Sequence, residues 1–384
     1  MGSSSTPSCG NTAPSLVMRG LRILHVDPER SWGGGEVQVL GLTRYLHRSG
    51  HRSVVAADPD GLLYRHLDAA TLPVCALRVR NHLDLLAGLR LRRLVRAGRY
   101  DLVHFHTARA HALSPWLQGL RVKRVVTRRM DYPLRKGGTT RFLYTQSVDT
   151  VVAISTGVQA ALLAGEVPAA RIRLIPSGID TARFTHDPDV RARVRQAYGF
   201  VEHETVVLSV GALVERKGHR TLLQAASQLR GQGIRLRYLV CGEGALRASL
   251  EAEAQALGLA RDVLFAGFCA DVPGALAAAD LFVHVPLHEG LGVAVIEALA
   301  AGVPVVASRV GGLPELIDGQ TTGLLVPPQD PMALATALDS LIRNPLRAGA
   351  LGRAGQALAR ARFDVTVMAQ ANETLYAELL GILE

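Results

Sequence analysis

From residue 21 onward, short apolar runs alternate with amphipathic stretches in a repeating order. LRILHVD ends at a glycine-rich turn, SWGGG, and is followed by EVQVLGLTRYLHRSG, whose apolar residues recur at three- and four-residue steps. This is the signature of a strand, a tight turn and a helix. HRSVVAAD, LPVCALRV, YDLVHFH, RVKRVVTR and VDTVVAIS continue the series as nearly unbroken apolar runs, the pattern of parallel strands buried on both faces by helices. A polar stretch, THDPDVRARVRQAYGFVEHE, interrupts the alternation, which then restarts with TVVLSVGAL, LRYLVCG, DVLFAGF, LFVHVP, PVVAS and TGLLVPP. The pattern predicts an α/β chain of two Rossmann-like domains, over 20–190 and 200–364, with a closing helix over 365–384. Residues 1–19, rich in Ser, Thr and Pro, are expected to be disordered. Two such domains face to face surround a cleft with the carboxyl ends of both sets of strands, the place where open α/β sheets bind ligands.

Length and composition agree with that reading: 384 residues, 48% hydrophobic and 20% charged, suit two domains with full cores and exclude a disordered or fibrous chain. The formal charge of +10 is unevenly placed, with 29 basic and 14 acidic residues in 1–200 against 14 and 19 in 201–384. Such asymmetry predicts different partners for the two halves. A nucleic-acid role is not expected, because aromatics are only 5% and no recognised binding motif interleaves with the basic residues. The four cysteines, Cys9, Cys75, Cys241 and Cys269, form no CxxC pair and no zinc spacing, and no apolar run reaches the roughly 18 residues of a membrane span. A cytoplasmic location is the expectation, and no bound cofactor or metal is called for. The two Asp-Pro-Asp triplets, at 58–60 and 187–189, read as turns rather than metal ligands.

The segment most informative about chemistry is LFVHVPLHEGLGVAVIEALAAG, residues 281–302. A buried strand stops at Pro286, a loop carries Glu289, and Gly290 to Gly292 open an apolar helix that contains Glu297. Free N–H groups at such a helix start, with glycines admitting close approach, make an anion site. The two acids stand roughly 12 Å apart or less at helical rise. That spacing suits a ligand with a hydroxylated group at each end of a diphosphate, a hexose at Glu289 and a ribose at Glu297. Taken alone, Glu297 reads rather as an exposed helix residue and Glu289 as a surface loop charge.

Glu289 and Glu297 form an E-x7-E motif. Together with GGGE, PSGID, VGALVERKG, CGEG, ADLFVHVPLHEGLG, ALAAGVPVVASRVGGLPELI and TGLLVPPQDPMALATAL, it makes the chain resemble glycosyltransferase family 4, retaining enzymes of the GT-B fold. The resemblance runs from Leu21 to the C-terminus. It implies transfer of a hexose from a UDP- or GDP-linked donor without metal, and a C-terminal helix that crosses back onto the first domain. It further implies that Glu289 contacts the donor sugar, that Glu297 holds the ribose, and that Gly290, Leu291, Gly292 and Val293 face the diphosphate. Arg216 and Lys217 match the family's basic pair, aimed at the charge that grows on the departing diphosphate. Gly34 and Phe268 are placed on the donor side as well. Two departures stand out. Ala212 replaces the arginine of a VGR pattern, and TRRMDYP replaces the segment in which many relatives carry TFH, which puts Arg128, Arg129 and Asp131 on the acceptor side and leaves His111 as the candidate histidine of the cleft. His104 is expected to be structural.

These features imply a hexosyltransferase acting on a glycolipid or oligosaccharide, with lipopolysaccharide or another envelope glycan as the expected product. A GT-B-like sugar-nucleotide epimerase and a non-catalytic sugar-nucleotide-binding protein are the alternatives. LRLRRLVRAGR places Arg90, Arg92, Arg93, Arg96 and Arg99 on one helix, and Arg121, Lys123, Arg124, Arg135 and Lys136 follow. An anionic membrane surface is therefore an expected partner of the first domain, giving peripheral association with the inner face of the cytoplasmic membrane.

Overall fold

The computed structural model describes residues 20–135, 137–185 and 187–382; the expected disordered segment 1–19, Cys9 and Lys136 lie outside them. The first domain contributes strands β1 (Arg22–Asp27), β2 (Arg52–Ala57), β3 (Val74–Ala76), β4 (Leu102–Phe105), β5 (Lys123–Arg128), β6 (Thr150–Ala153) and β7 (Ile172–Leu174). Between them run α1 (Gly34–Arg48), α2 (Leu62–Ala69), α3 (Leu85–Gly98), α4 (Ala108–His111), α5 (Gly138–Thr145) and α6 (Thr156–Ala164). The sheet order is β3-β2-β1-β4-β5-β6-β7, every described pairing being parallel. Strands β1, β4 and β6 are buried almost throughout, because helices cover both faces.

The second domain opens with α7 (Pro188–Ala197) and contains β8 (Val206–Val210), α8 (His219–Gly231), β9 (Arg237–Cys241), α9 (Arg247–Ala256), β10 (Val263–Gly267), α10 (Val272–Ala278), β11 (Leu281–His284) and α11 (Val293–Ala300). It continues with β12 (Val305–Ser308), α12 (Leu313–Leu316), β13 (Leu324–Val326), α13 (Pro331–Arg343) and α14 (Pro345–Arg362), its sheet running β10-β9-β8-β11-β12-β13. The stretch read as polar from sequence holds α7, capped by Asp187, whose side chain accepts from the Asp189 and Val190 amides. Its Arg191 and Arg195 both pair with Asp280 beside α10, and buried Arg195 also donates to the Ala278 and Val201 carbonyls. This packing places α7 with the second domain.

After α14 the chain returns through α15 (Val365–Leu379), which packs on α1 of the first domain. At the crossing the Ile179 amide donates to the Phe363 carbonyl and the Ile179 carbonyl accepts from the Val365 amide, and Thr181 Oγ1 donates to Asp364 at 2.5 Å. Glu373 accepts from Tyr45 at 3.0 Å and from His51 Nε2 at 2.7 Å. Polar side chains thus fix an otherwise apolar contact.

Candidate active site

All strands being parallel, the loops that follow them lie at one end of each sheet, and the two ends meet. Ser155 Oγ donates to the Gly290 carbonyl at 2.6 Å, and Thr156 gives its amide and hydroxyl to one oxygen of Glu315, both at 2.7 Å. A side chain at Gly34 would sit 2.9 Å from Val293, and one at Gly290 would strike the Arg129 carbonyl at 2.0 Å. Asp131 lies against Gly311, and Tyr132 stacks obliquely on His288. The structure therefore brings together Gly34, Arg129 and Asp131 from the first domain with Gly290 to Val293 from the second.

The turn before α11 is shaped by glycine. Gly292 adopts φ +97°, a left-handed conformation that other residues enter only with strain. No side chain caps α11, so the amides at its start remain available to an anion. Beside this turn Glu289 is almost fully buried, and one of its oxygens, Oε2, receives Lys217 Nζ at 2.5 Å and His284 Nε2 at 2.7 Å. Burial alone would raise the Glu289 carboxyl, but the hydrogen bond from His284 and the hydrogen bond and charge of the Lys217 ammonium overcome it and hold the group far below the ordinary carboxylate range. His284 itself is lowered by burial and by the Lys217 charge, so its neutral ring donates from Nε2. The arrangement leaves Oε1 of Glu289 as the acceptor for a ligand hydroxyl.

Lys217 is positioned by a short 3-10 turn, Glu215–Lys217, that ends at Gly218, where a side chain would meet the Val285 carbonyl at 2.0 Å. Arg216, next to it, gives its carbonyl to the Leu287 amide, and its charge reaches His284. Glu297 lies partly buried on α11; burial pushes its carboxyl up to about 7, with Arg183 opposing and Cys269 adding to the shift. Leu291 is buried, and Phe268 presents an exposed ring just beyond β10.

On the first domain's side, Arg129 tucks beneath the glycine loop, its guanidinium donating to Gln38 and, at 3.4 Å, to His106 Nδ1. An arginine only donates, so His106 must carry its proton on Nε2, which gives it to His25 Nδ1 at 2.9 Å. Asp27, fully buried at the end of β1, lies beside Arg129 and Glu36; burial and the Glu36 charge push its carboxyl up to about 7 against the pull of Arg129.

Two expected site residues, His111 and Arg128, and one arginine of the basic run, Arg92, bond to partners within the first domain. His111 is buried, edge-on to Tyr144, with Nε2 donating to the Leu143 carbonyl at 3.1 Å, and burial lowers it to about 4. It packs α4 against α5 instead of joining the cluster around Glu289. Arg128 points to the same side, donating to Tyr144 at 2.9 Å and to the Tyr132 carbonyl. Arg92 spends its guanidinium on the Trp116 and Gln118 carbonyls, at 2.6 and 2.8 Å. His104 is structural, bridging Thr127 at 2.7 Å and Tyr376 of α15 at 2.6 Å. Among the described residues, His25, His104 and His106 bring ring nitrogens within 4.8 Å of one another. Their bonds to each other, to Thr127 and to Tyr376, and the cationic Arg129 alongside, disfavour a metal ion there. Asp58 is the core of a turn, salt-bridged to Arg30 at 3.0 Å. His284 and Asp27 went unnoticed in the sequence: each reads as one more position in a buried strand.

Residues 32–183 match the family described as Glycosyltransferase Family 4, and 190–358 the one described as Glycosyl transferases group 1. A GDP-mannose-dependent alpha-(1-6)-phosphatidylinositol monomannoside mannosyltransferase of Mycolicibacterium smegmatis is 37% identical over 54% of this chain and 56% of its own length, so the chain spans little more than half of that relative. A D-inositol 3-phosphate glycosyltransferase of Corynebacterium jeikeium is 30% identical over 73% of each chain. The crystal structure of Anabaena HepE in complex with UDP-glucose superposes with a TM-score of 0.83 at 26% identity, covering 94% of this chain and all of that one. With two parallel-sheet domains, a crossing C-terminal helix and both matched halves, the chain belongs to glycosyltransferase family 4 and has the GT-B fold.

Proposed function

We propose that the chain transfers a hexose from a nucleotide-diphosphate sugar to a hydroxyl of a membrane-held glycolipid, with retention and without metal. The observation that carries the reading is Glu289, held ionised by Lys217 and His284 at the uncapped start of α11, with Gly34 and Arg129 directly across the cleft. Oε1 of Glu289 accepts from a hydroxyl of the hexose, the α11 amides and Arg216 take the diphosphate, and Glu297 takes the ribose. As the bond from the anomeric carbon to the diphosphate breaks, Lys217 and Arg216 meet the charge growing on the departing oxygen. The acceptor oxygen bonds to the same face, and its proton passes to that departing oxygen, so the atoms balance and configuration is kept.

The relatives named above act on inositol-bearing acceptors, which favours a cyclitol or glycosylated cyclitol headgroup over lipopolysaccharide. The positive first half supports approach to an anionic membrane, and no described helix is long and apolar enough to cross one. The test is turnover of UDP- and GDP-hexoses against inositol glycolipids and lipopolysaccharide cores in chelator, with the anomeric configuration of the product read by NMR. Retention with an inositol-type acceptor supports the proposal; an inverted product or a strict metal requirement overturns it.

A further inference from the structure

Helix α3 is apolar on two sides. Its inner side, with Ala87, Leu91 and Val95, is buried, and the Trp116 indole lies on Gly88. Its outer side and the turn before it carry Leu83, Leu85, Leu86 and Leu89, exposed by 85%, 63%, 60% and 42%. The outward side of a surface helix is ordinarily polar, and a contiguous exposed apolar group of this kind marks a contact surface. Asp84 holds the turn in place by accepting from the Ala87 and Arg80 amides, both at 3.0 Å, so the leucines are displayed on an ordered element.

Two further observations identify the partner. Directly after Leu89 and over the next two turns, Arg90, Arg93 and Arg96 are exposed, and exposed Arg80 precedes the leucines. Apolar side chains backed by arginines match the layering of a bilayer, in which the leucines meet the acyl boundary while the guanidinium groups stay among anionic headgroups. The β3–α3 connection also leaves the same end of the sheet as the glycine loop after β1 and Arg129 after β5, because the strands are parallel. The leucines therefore stand at the same end of the sheet as the loops that line the cleft.

We propose that the Leu83–Leu89 surface, with the arginines behind it, inserts shallowly into an anionic bilayer and so presents the cleft to membrane-held acceptor. This rests on the functional reading above, and the experiment separates the two by using vesicles that contain no acceptor. Co-sedimentation is measured with phosphatidylcholine vesicles with and without phosphatidylglycerol, over a range of salt. The chain should bind the anionic vesicles. Leu83→Ser with Leu86→Ser should weaken binding by roughly tenfold or more at low salt, with the thermal transition and turnover on a soluble acceptor analogue unchanged. Arg90→Glu with Arg93→Glu should abolish the salt-sensitive part. Equal binding by the leucine variant, or equal binding to neutral vesicles, overturns the proposal. So does lipid-free dimerisation that the leucine variant removes, which assigns the surface to a second copy of the chain. Loss of vesicle binding by the variants with no turnover on any acceptor would leave docking standing and the functional reading refuted.

Discussion

Lowering the pH from about 8 to about 6 is predicted to weaken donor binding roughly tenfold, through one side chain. Burial on α11 pushes the Glu297 carboxyl up to about 7. A carboxylate accepts hydrogen bonds from both ribose hydroxyls, whereas the protonated acid gives up acceptor capacity. With the group at about 7, roughly nine-tenths is ionised at about pH 8 and one-tenth at about pH 6, a ratio near ten or about 1.4 kcal/mol. Linkage fixes the sign: binding favours the ionised form, so donor uptake releases a proton near neutrality and tightens as pH rises. Calorimetry with an intact sugar nucleotide, in buffers of different ionisation enthalpy, reads affinity and proton release together. The intact donor is needed because the terminal phosphate of a free nucleoside diphosphate itself titrates near about 6. Glu297→Gln should flatten the profile. Asp27 is also pushed to about 7, so Asp27→Asn is the control that must keep the slope. A pH-independent wild-type affinity, or a slope surviving in Glu297→Gln, refutes the reasoning.

Asp27 has its own consequence for stability. Its folded carboxyl holds a proton up to about 7 while the unfolded group releases it near 3.9, so stability falls as pH rises between these values, by about 4 kcal/mol in all. Asp27→Asn should therefore gain on wild type in denaturant titrations as pH is raised from about 5 to about 8; a constant difference would contradict the assignment. Arg92→Ala should destabilise by about 1–3 kcal/mol, because the Trp116 and Gln118 carbonyls lose their donor. The neighbouring exposed Arg93→Ala should be neutral in the same thermal melts, and equal effects would count against the division of roles on α3.

How much of this was legible beforehand differs by element. Twelve of the strands announced themselves as apolar runs, but β7 did not, since it is a three-residue edge strand with Arg173 and Leu174 exposed. The polar stretch hid α7 because its hold on the second domain is ionic, through Arg195 and Asp280, and leaves little apolar periodicity. In the candidate site, Glu289, Lys217 and the glycine turn could be picked out from the sequence because they sit in local patterns. His284 could not, because a histidine in LFVHVP looks like one more buried position until the strand's end and the following loop bring its Nε2 to Glu289. Asp27 and Arg129 are about a hundred residues apart, and only the sheet order, with β4 between β1 and β5, brings them together. For the same reason the sequence could not show that His111 and Arg128 meet at Tyr144.

The central claim is that Lys217 and Glu289 act as a unit on the sugar nucleotide. Single-turnover kinetics of wild type, Lys217→Ala, Glu289→Gln and the double variant, at saturating donor and acceptor, test it most directly. Removal of Lys217 takes away one of two partners of a buried carboxylate, at 2.5 Å, and on the proposed function a cation at the departing diphosphate as well. The account predicts a loss of roughly 10² or more in the chemical step for Lys217→Ala, donor affinity changing far less, and a comparable loss for Glu289→Gln that is not additive in the double variant. Wild-type rates in a folded Lys217→Ala protein, or fully additive losses, would contradict it.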